Sequence, residues 1–166
     1  MAAKDKKLED LFHETLKDMY YAEKKILVAL PKLAKAAHSE ELAAAFEKHA
    51  EETEGQIERL EEVFEMIDKA PRGKNCPAIL GLIEEGQEVM EDFKESHALD
   101  AGILAGAQAV EHYEISRYGT LIAWAKQMGM DDAAKLLKQN LDEEEKTDQS
   151  LTKLAESALN YQAAAE

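Results

Sequence analysis

The chain of 166 residues carries 35 acidic against 20 basic side chains, for a formal charge of -15, and 45% of it is apolar. That is enough for one domain, 1–166, with a substantial core, and no basic cluster interrupts the acidic background, which argues against nucleic acid or an anionic membrane as partner. The start MAAKDKKLEDLF lacks the apolar core of a secretion signal, no stretch nears the ~20 apolar residues of a membrane span, and Cys76 stands alone, so a cytoplasmic protein without an intrachain disulfide is expected.

Three prolines, eight glycines and abundant Ala, Leu, Glu and Lys make an all-α composition. In residues 5–37, Leu8, Phe12, Thr15, Met19, Ala22 with Glu23, Ile26, Leu30 and Leu33 recur at spacings of three and four, which draws one face of a long helix. Pro31 should kink it near its end, because proline lacks the backbone donor and crowds the preceding turn. Ser39 is placed to cap a second helix over 40–68, striped by Leu42, Ala45, His49, Glu52, Gln56, Leu60, Val63 and Ile67; the short join makes the two an antiparallel pair. Residues 68–77, DKAPRGKNCP, form the clearest break. A shorter helix over 78–96, weakened by Gly81 and Gly86, reads as part of a crossover connection.

Asp100 is placed to cap a third long helix over 100–128, with Leu104, Ala107, Glu111, Glu114, Tyr118, Leu121, Ala125 and Met128 on its stripe. Gly129 ends it, and Asp131 or Asp132 starts a fourth over 131–161, striped by Ala133, Leu137, Leu141, Glu144, Asp148, Leu151, Ala155 and Ala158. Two helical hairpins joined by one long connection give a ferritin-like antiparallel four-helix bundle.

Each stripe carries a carboxylate near its middle. An unpaired buried carboxylate costs several kcal/mol, so a handful would unfold a domain stabilised by about 5–15 kcal/mol unless a cation shares the space. The heights agree. A turn at Gly129 sets Glu114 level with Glu144 and Glu111 near Asp148, and a turn at His38 and Ser39 sets Glu23 within about 3 Å of the level of Glu52. Two divalent ions, iron or manganese, would answer such a cluster, since hard oxygen donors bridge them well. Bundles of this type use one Glu on each of two helices and Glu-x-x-His on the others; here Glu52 with Gln56 and Glu144 with Asp148 match in part, four apart and without histidine. His49 is open to three roles: a ligand, a donor that orients a carboxylate, or a core residue with its own partner. Two bland alternatives remain beside the metal: stripes turned by one residue, which leave the acids in water, and neutralisation by Arg59 and Arg117. His112, about 100° off the stripe, faces another helix or a partner subunit, and the tyrosines are core or interface aromatics or neighbours of the site.

The strings LEDLFHETLKDMYYAEKKI, AFEKHAEETEGQIERLEEVF, GLIEEGQEV, AVEHYEISRYGTL and AAKLLKQNLDEEEKTDQSLTKLA resemble the YciF/YciE family of ferritin-like bacterial stress proteins over nearly the whole chain. The resemblance implies a helical bundle that forms a homodimer and carries a dinuclear metal site related to that of rubrerythrin. Carried across, Glu23, Glu52, Glu111, Glu114 and Glu144 take the carboxylate positions, while Gln56 and Asp148 fall where the relatives have histidine. The chemistry that follows is oxidation of ferrous ions or reaction with peroxide or dioxygen, with the metal doing the redox work. The rival reading is a non-catalytic stress or interaction protein with a structural or vestigial metal site. A DNA-protecting ferritin relative is disfavoured by the charge.

Overall fold

The computed structural model describes residues 5–165, and every regular element among them is helical. Helix α1 spans Leu8–Ala36, α2 Glu40–Met66, α3 Pro77–Asp92, α4 Leu99–Gln127 and α5 Asp131–Leu154; one π-helical turn, Ala155–Leu159, then leads into the short α6, Asn160–Ala164. None is long and apolar enough to cross a membrane.

The expected four long helices are present, and the chain signals that delimit them act for identifiable reasons. The Ser39 hydroxyl accepts a hydrogen bond from the amide of Leu42, satisfying one of the free donors at the start of α2. Gly129 adopts φ of 73°, a left-handed conformation that glycine takes without a Cβ penalty, and this ends α4. Helix α1 runs through Pro31 to Ala36; the proline is exposed, so the carbonyl it leaves unpaired can find water. Asp100 departs from expectation. It lies inside the first turn of α4, and its two carboxylate oxygens accept the amides of His38 and Ser39, each at 2.8 Å. It therefore ties the α1–α2 turn to the start of α4 instead of capping its own helix.

Helices α1 and α2 form one hairpin and α4 and α5 the other, and α3 lies across α1 and α4 within the crossover. Cross-bundle pairs fix the directions. Tyr118 reaches Glu23 while Asp100 reaches His38, so α4 runs antiparallel to α1; Gln56 reaches Glu144 and Arg59 reaches Glu143, so α2 and α5 also lie side by side. The apolar core comes in two parts. At one end Phe12, Leu16, Met19, Leu60, Phe64, Leu121 and Leu137 pack together. At the other Ile26, Leu30, Leu42, Phe46, Leu104 and Leu151 do so. Between the two apolar clusters, the interior is polar.

Candidate metal centre

The polar layer is made of Glu23 from α1, His49, Thr53 and Gln56 from α2, Glu111 and Glu114 from α4, and Asn140 and Glu144 from α5, all buried. Each long helix places its residue there by the same spacing that places the leucines a turn above and below it. In His49, Glu111, Glu114 and Glu144, one ligand atom apiece lies within 4.8 Å of all the others, the geometry of a group that could hold a metal ion. His49 lies between two acids without an aligned hydrogen bond to either: Nδ1 is 3.2 Å from Glu111 and Nε2 is 3.4 Å from Glu144.

The remaining polar atoms divide into those with partners and those without. The Tyr118 hydroxyl donates to Glu23 and accepts from the Asn140 amide at 3.0 Å, and the Gln56 amide donates to Glu144. The Thr53 hydroxyl returns to the carbonyl of His49 and fixes that turn of α2. By contrast both oxygens of Glu111, both of Glu114, one each of Glu23 and Glu144, His49 Nε2 and Gln56 Oε1 are buried without a hydrogen-bond partner. Buried polar atoms are almost always paired, so this many orphans in one layer is a strong departure.

Electrostatics follow from the burial. Burial, then the charge of Glu144, pushes the Glu23 carboxyl up to about 8. Glu111 is driven well above the carboxylate range by burial and next by the facing Glu144, and Glu114 by burial and then by the charges of Glu144, Glu23 and Glu111. Glu144 goes the other way. Burial is its largest single influence and opposes ionisation, but His49, Glu111 and Gln56 together outweigh it and hold its carboxyl below the ordinary value. The layer thus favours the ionised form at Glu144 and the protonated form at Glu23, Glu111 and Glu114.

Of the residues singled out from sequence, Glu23, His49, Gln56, Glu111, Glu114 and Glu144 come together. Glu52 and Asp148 do not. The Glu52 carboxylate turns outward to Lys48 at 2.5 Å and accepts from the Thr147 hydroxyl at 3.4 Å, and Thr53 takes the inward position. Asp148 accepts from Gln108 at 3.0 Å and lies 3.2 Å from the exposed His112. Neither arginine neutralises the layer. Arg59 is committed to Glu143 and Asn140, and Arg117 lies over the ring of Tyr113. The acids are not solvated either, since Glu23, Glu111, Glu114 and Glu144 are each 0% exposed. Cys76, expected as a loop thiol, is buried at the start of α3 with Sγ 3.0 Å from the Tyr113 hydroxyl.

Thr53 and Asn140 were not legible as site residues. Each lies one position from a residue that fits the stripe equally well, Glu52 and Leu141, and spacings of three and four admit both choices.

The same arrangement of helices occurs in known proteins. The crystal structure of the Escherichia coli stress protein YciF superposes with a TM-score of 0.89 at 48% identity, covering 93% of this chain and 98% of that one. YcfI from Rhodopseudomonas palustris gives 0.86 at 47% identity, covering 92% and 97%. A protein from Xanthomonas campestris, 22% identical, shares the fold with a TM-score of 0.68 over 91% of this chain and 92% of its own. In sequence, Protein YciF of Escherichia coli (strain K12) is 49% identical over 160 residues, 95% of this chain and 96% of the relative. Residues 7–164 match the family described as Domain of unknown function (DUF892), and with that span and those identities the chain belongs to this family, the one that includes YciF.

Proposed function

We propose that the protein is a ferritin-like stress protein whose polar layer binds two divalent metal ions, iron or manganese, and uses them to oxidise ferrous iron or to react with peroxide or dioxygen. The observation that carries this is the set of orphaned oxygens on Glu23, Glu111, Glu114 and Glu144 around His49. Four ionised carboxylates supply the charge that balances two divalent cations, and oxygen-rich sites with one imidazole suit iron and manganese. Bound iron would supply the electrons: two ferrous ions reduce one peroxide with two protons to two waters, or one dioxygen with two protons to hydrogen peroxide.

The chain's own residues do the rest. Glu111 and Glu114, whose oxygens make no hydrogen bond outside the layer, would bind a metal through one oxygen or two. His49 lies between Glu111 and Glu144 and would ligate through one ring nitrogen, with the other facing a carboxylate. Tyr118 and Asn140 hold Glu23 in position, as outer partners of liganding groups do. Glu23, Glu111 and Glu114 would release their protons to solvent as the ions bind, and solvent supplies the two protons that reduction of the oxidant consumes. A homodimer in the cytoplasm goes with this reading.

A second reading is favoured by one observation. The Gln56 amide spends its donor on Glu144, and among the described residues no histidine other than His49 joins the layer, so the ions could brace the bundle without turning over. Elemental analysis of protein purified without added metal, followed by oxygen and peroxide consumption after ferrous addition, separates the two. Two ions per chain with turnover supports the oxidase; two ions without turnover supports the brace. Replacing Glu114 and Glu144 together by alanine should abolish loading while circular dichroism still shows the helices. Unchanged metal content in that variant would place the ions elsewhere.

A further inference from the structure

We propose that the recess enclosed by α1, α3 and α4 is an access route for dioxygen to the metal layer, separate from the path the cations take; this rests on the reading of that layer as a redox centre. The recess has a volume of about 50 Å³ and is walled by apolar side chains, among them Ile26, Leu30, Ile83, Met90, Ile103 and Val110. Its polar inner end is formed by His49 and Glu111, whose Nε2 and two carboxylate oxygens lack partners. The only other charge among the described residues lining it is Lys32, which is exposed and so marks the solvent side.

Size and polarity select the occupant. A cavity needs about 10–15 Å³ to hold one water-sized molecule, so this recess of about 50 Å³ has room for a diatomic gas. Apolar cavities stay dry and take up apolar gases. A hydrated divalent cation would have to shed its water against hydrocarbon while passing a lysine, a cost that closes this route to it. Peroxide, which needs hydrogen bonds, is a poorer guest than dioxygen for the same reason.

Glycine keeps the space open. Gly86 on α3 and Gly106 on α4 both line the recess; a Cβ built at Gly86 meets nothing within 4 Å, and one at Gly106 comes only to 3.9 Å from the Gly86 Cα. Gly86→Leu should therefore fill the recess without displacing backbone. Gly81 on the same helix is exposed and lines no part of it, so Gly81→Leu carries the same helix-propensity gain and serves as the control.

Two measurements test the route. Xenon, a dioxygen surrogate, is applied under pressure to metal-free crystals: wild type and Gly81→Leu should hold xenon beside Ile83 and Val110, and Gly86→Leu should not. In iron-loaded protein, Gly86→Leu should raise the oxygen concentration for half-maximal consumption by about fivefold or more over Gly81→Leu, at equal iron content and with peroxide consumption changed less. A recess without xenon in an oxygen-consuming wild type, or equal oxygen dependence in the two leucine variants, overturns the route alone. Wild type that loads iron and ignores dioxygen overturns both the route and the oxidase reading beneath it.

Discussion

At the residue scale the decisive fact is which way single side chains turn. Glu52 and Thr53 both fit a stripe through His49 and Gln56, and only packing chose Thr53 for the interior, leaving Glu52 with Lys48. Inversion of that choice would add one more acid to a layer that already buries four carboxylates, at a cost of several kcal/mol. Glu52→Gln should therefore leave metal content unchanged, whereas Glu111→Gln should lower it sharply; equal loss in both would return Glu52 to the ligand set. The acids also set a pH dependence for the metal-free chain. Glu23 has an ordinary value of 4.5 and sits near 8 in the fold, so its stabilising protonated form is fully present below about 4.5 and lost as pH rises through 8. Glu111 and Glu114 shift in the same direction. Glu144 shifts oppositely, and its contribution fades only as pH falls below 4.5, outside that window. Thermal melts of chelated protein should therefore show a midpoint that falls between pH 5 and pH 8; a rising midpoint would mean that the acids are paired in a way the fold does not show.

Among the elements, legibility tracked how strong each local signal is. The long helices announce themselves because four apolar residues per two turns is a pattern repeated many times within one helix, and the ends follow from Ser39 and Gly129. Weaker signals misled. Helix α3 stops at Asp92 instead of 96, and the last helix loosens into a π-helical turn at Ala155–Leu159, where no glycine or proline gives warning. Asp100 has the residue type of a cap and the position of one, yet it serves another element, because the start of α4 lies against the α1–α2 turn only in the folded molecule. That contact joins the two hairpins at one end of the bundle. Asp100→Ala leaves two half-buried amides without their acceptor and should cost about 1–3 kcal/mol in urea denaturation, while Asp100→Asn, which keeps one acceptor oxygen, should cost less. A neutral Asp100→Ala would show that water replaces the carboxylate without loss.

For the whole molecule, the polar layer divides what would otherwise be one continuous core, and the helices carry four buried carboxylates where leucines would pack. Chain connectivity and apolar spacing could be read in advance, but the absence of an arginine from the layer could not, since Arg59 and Arg117 occupy stripe-adjacent positions and are drawn off by Glu143 and Tyr113. On the proposed reading, a protein built this way should draw part of its stability from ions held in that layer. Because ligands that bind only the folded state stabilise it by RT ln(1 + [L]/Kd), ferrous or manganous ion at 100 times its dissociation constant contributes about 2.7 kcal/mol. In a chain of this size each kcal/mol moves the melting midpoint by about 2–4 °C, so each ion bound should raise it by about 5–11 °C at neutral pH, two ions by about twice that, and a chelator should reverse the gain. The gain should shrink as pH falls toward 5, since protons then compete with metal for Glu23, Glu111 and Glu114. Equal gains from magnesium would indicate nonspecific screening of the -15 charge, and a Glu114→Ala, Glu144→Ala variant that keeps the full gain would place the stabilising ions on the surface acids instead of between the four helices.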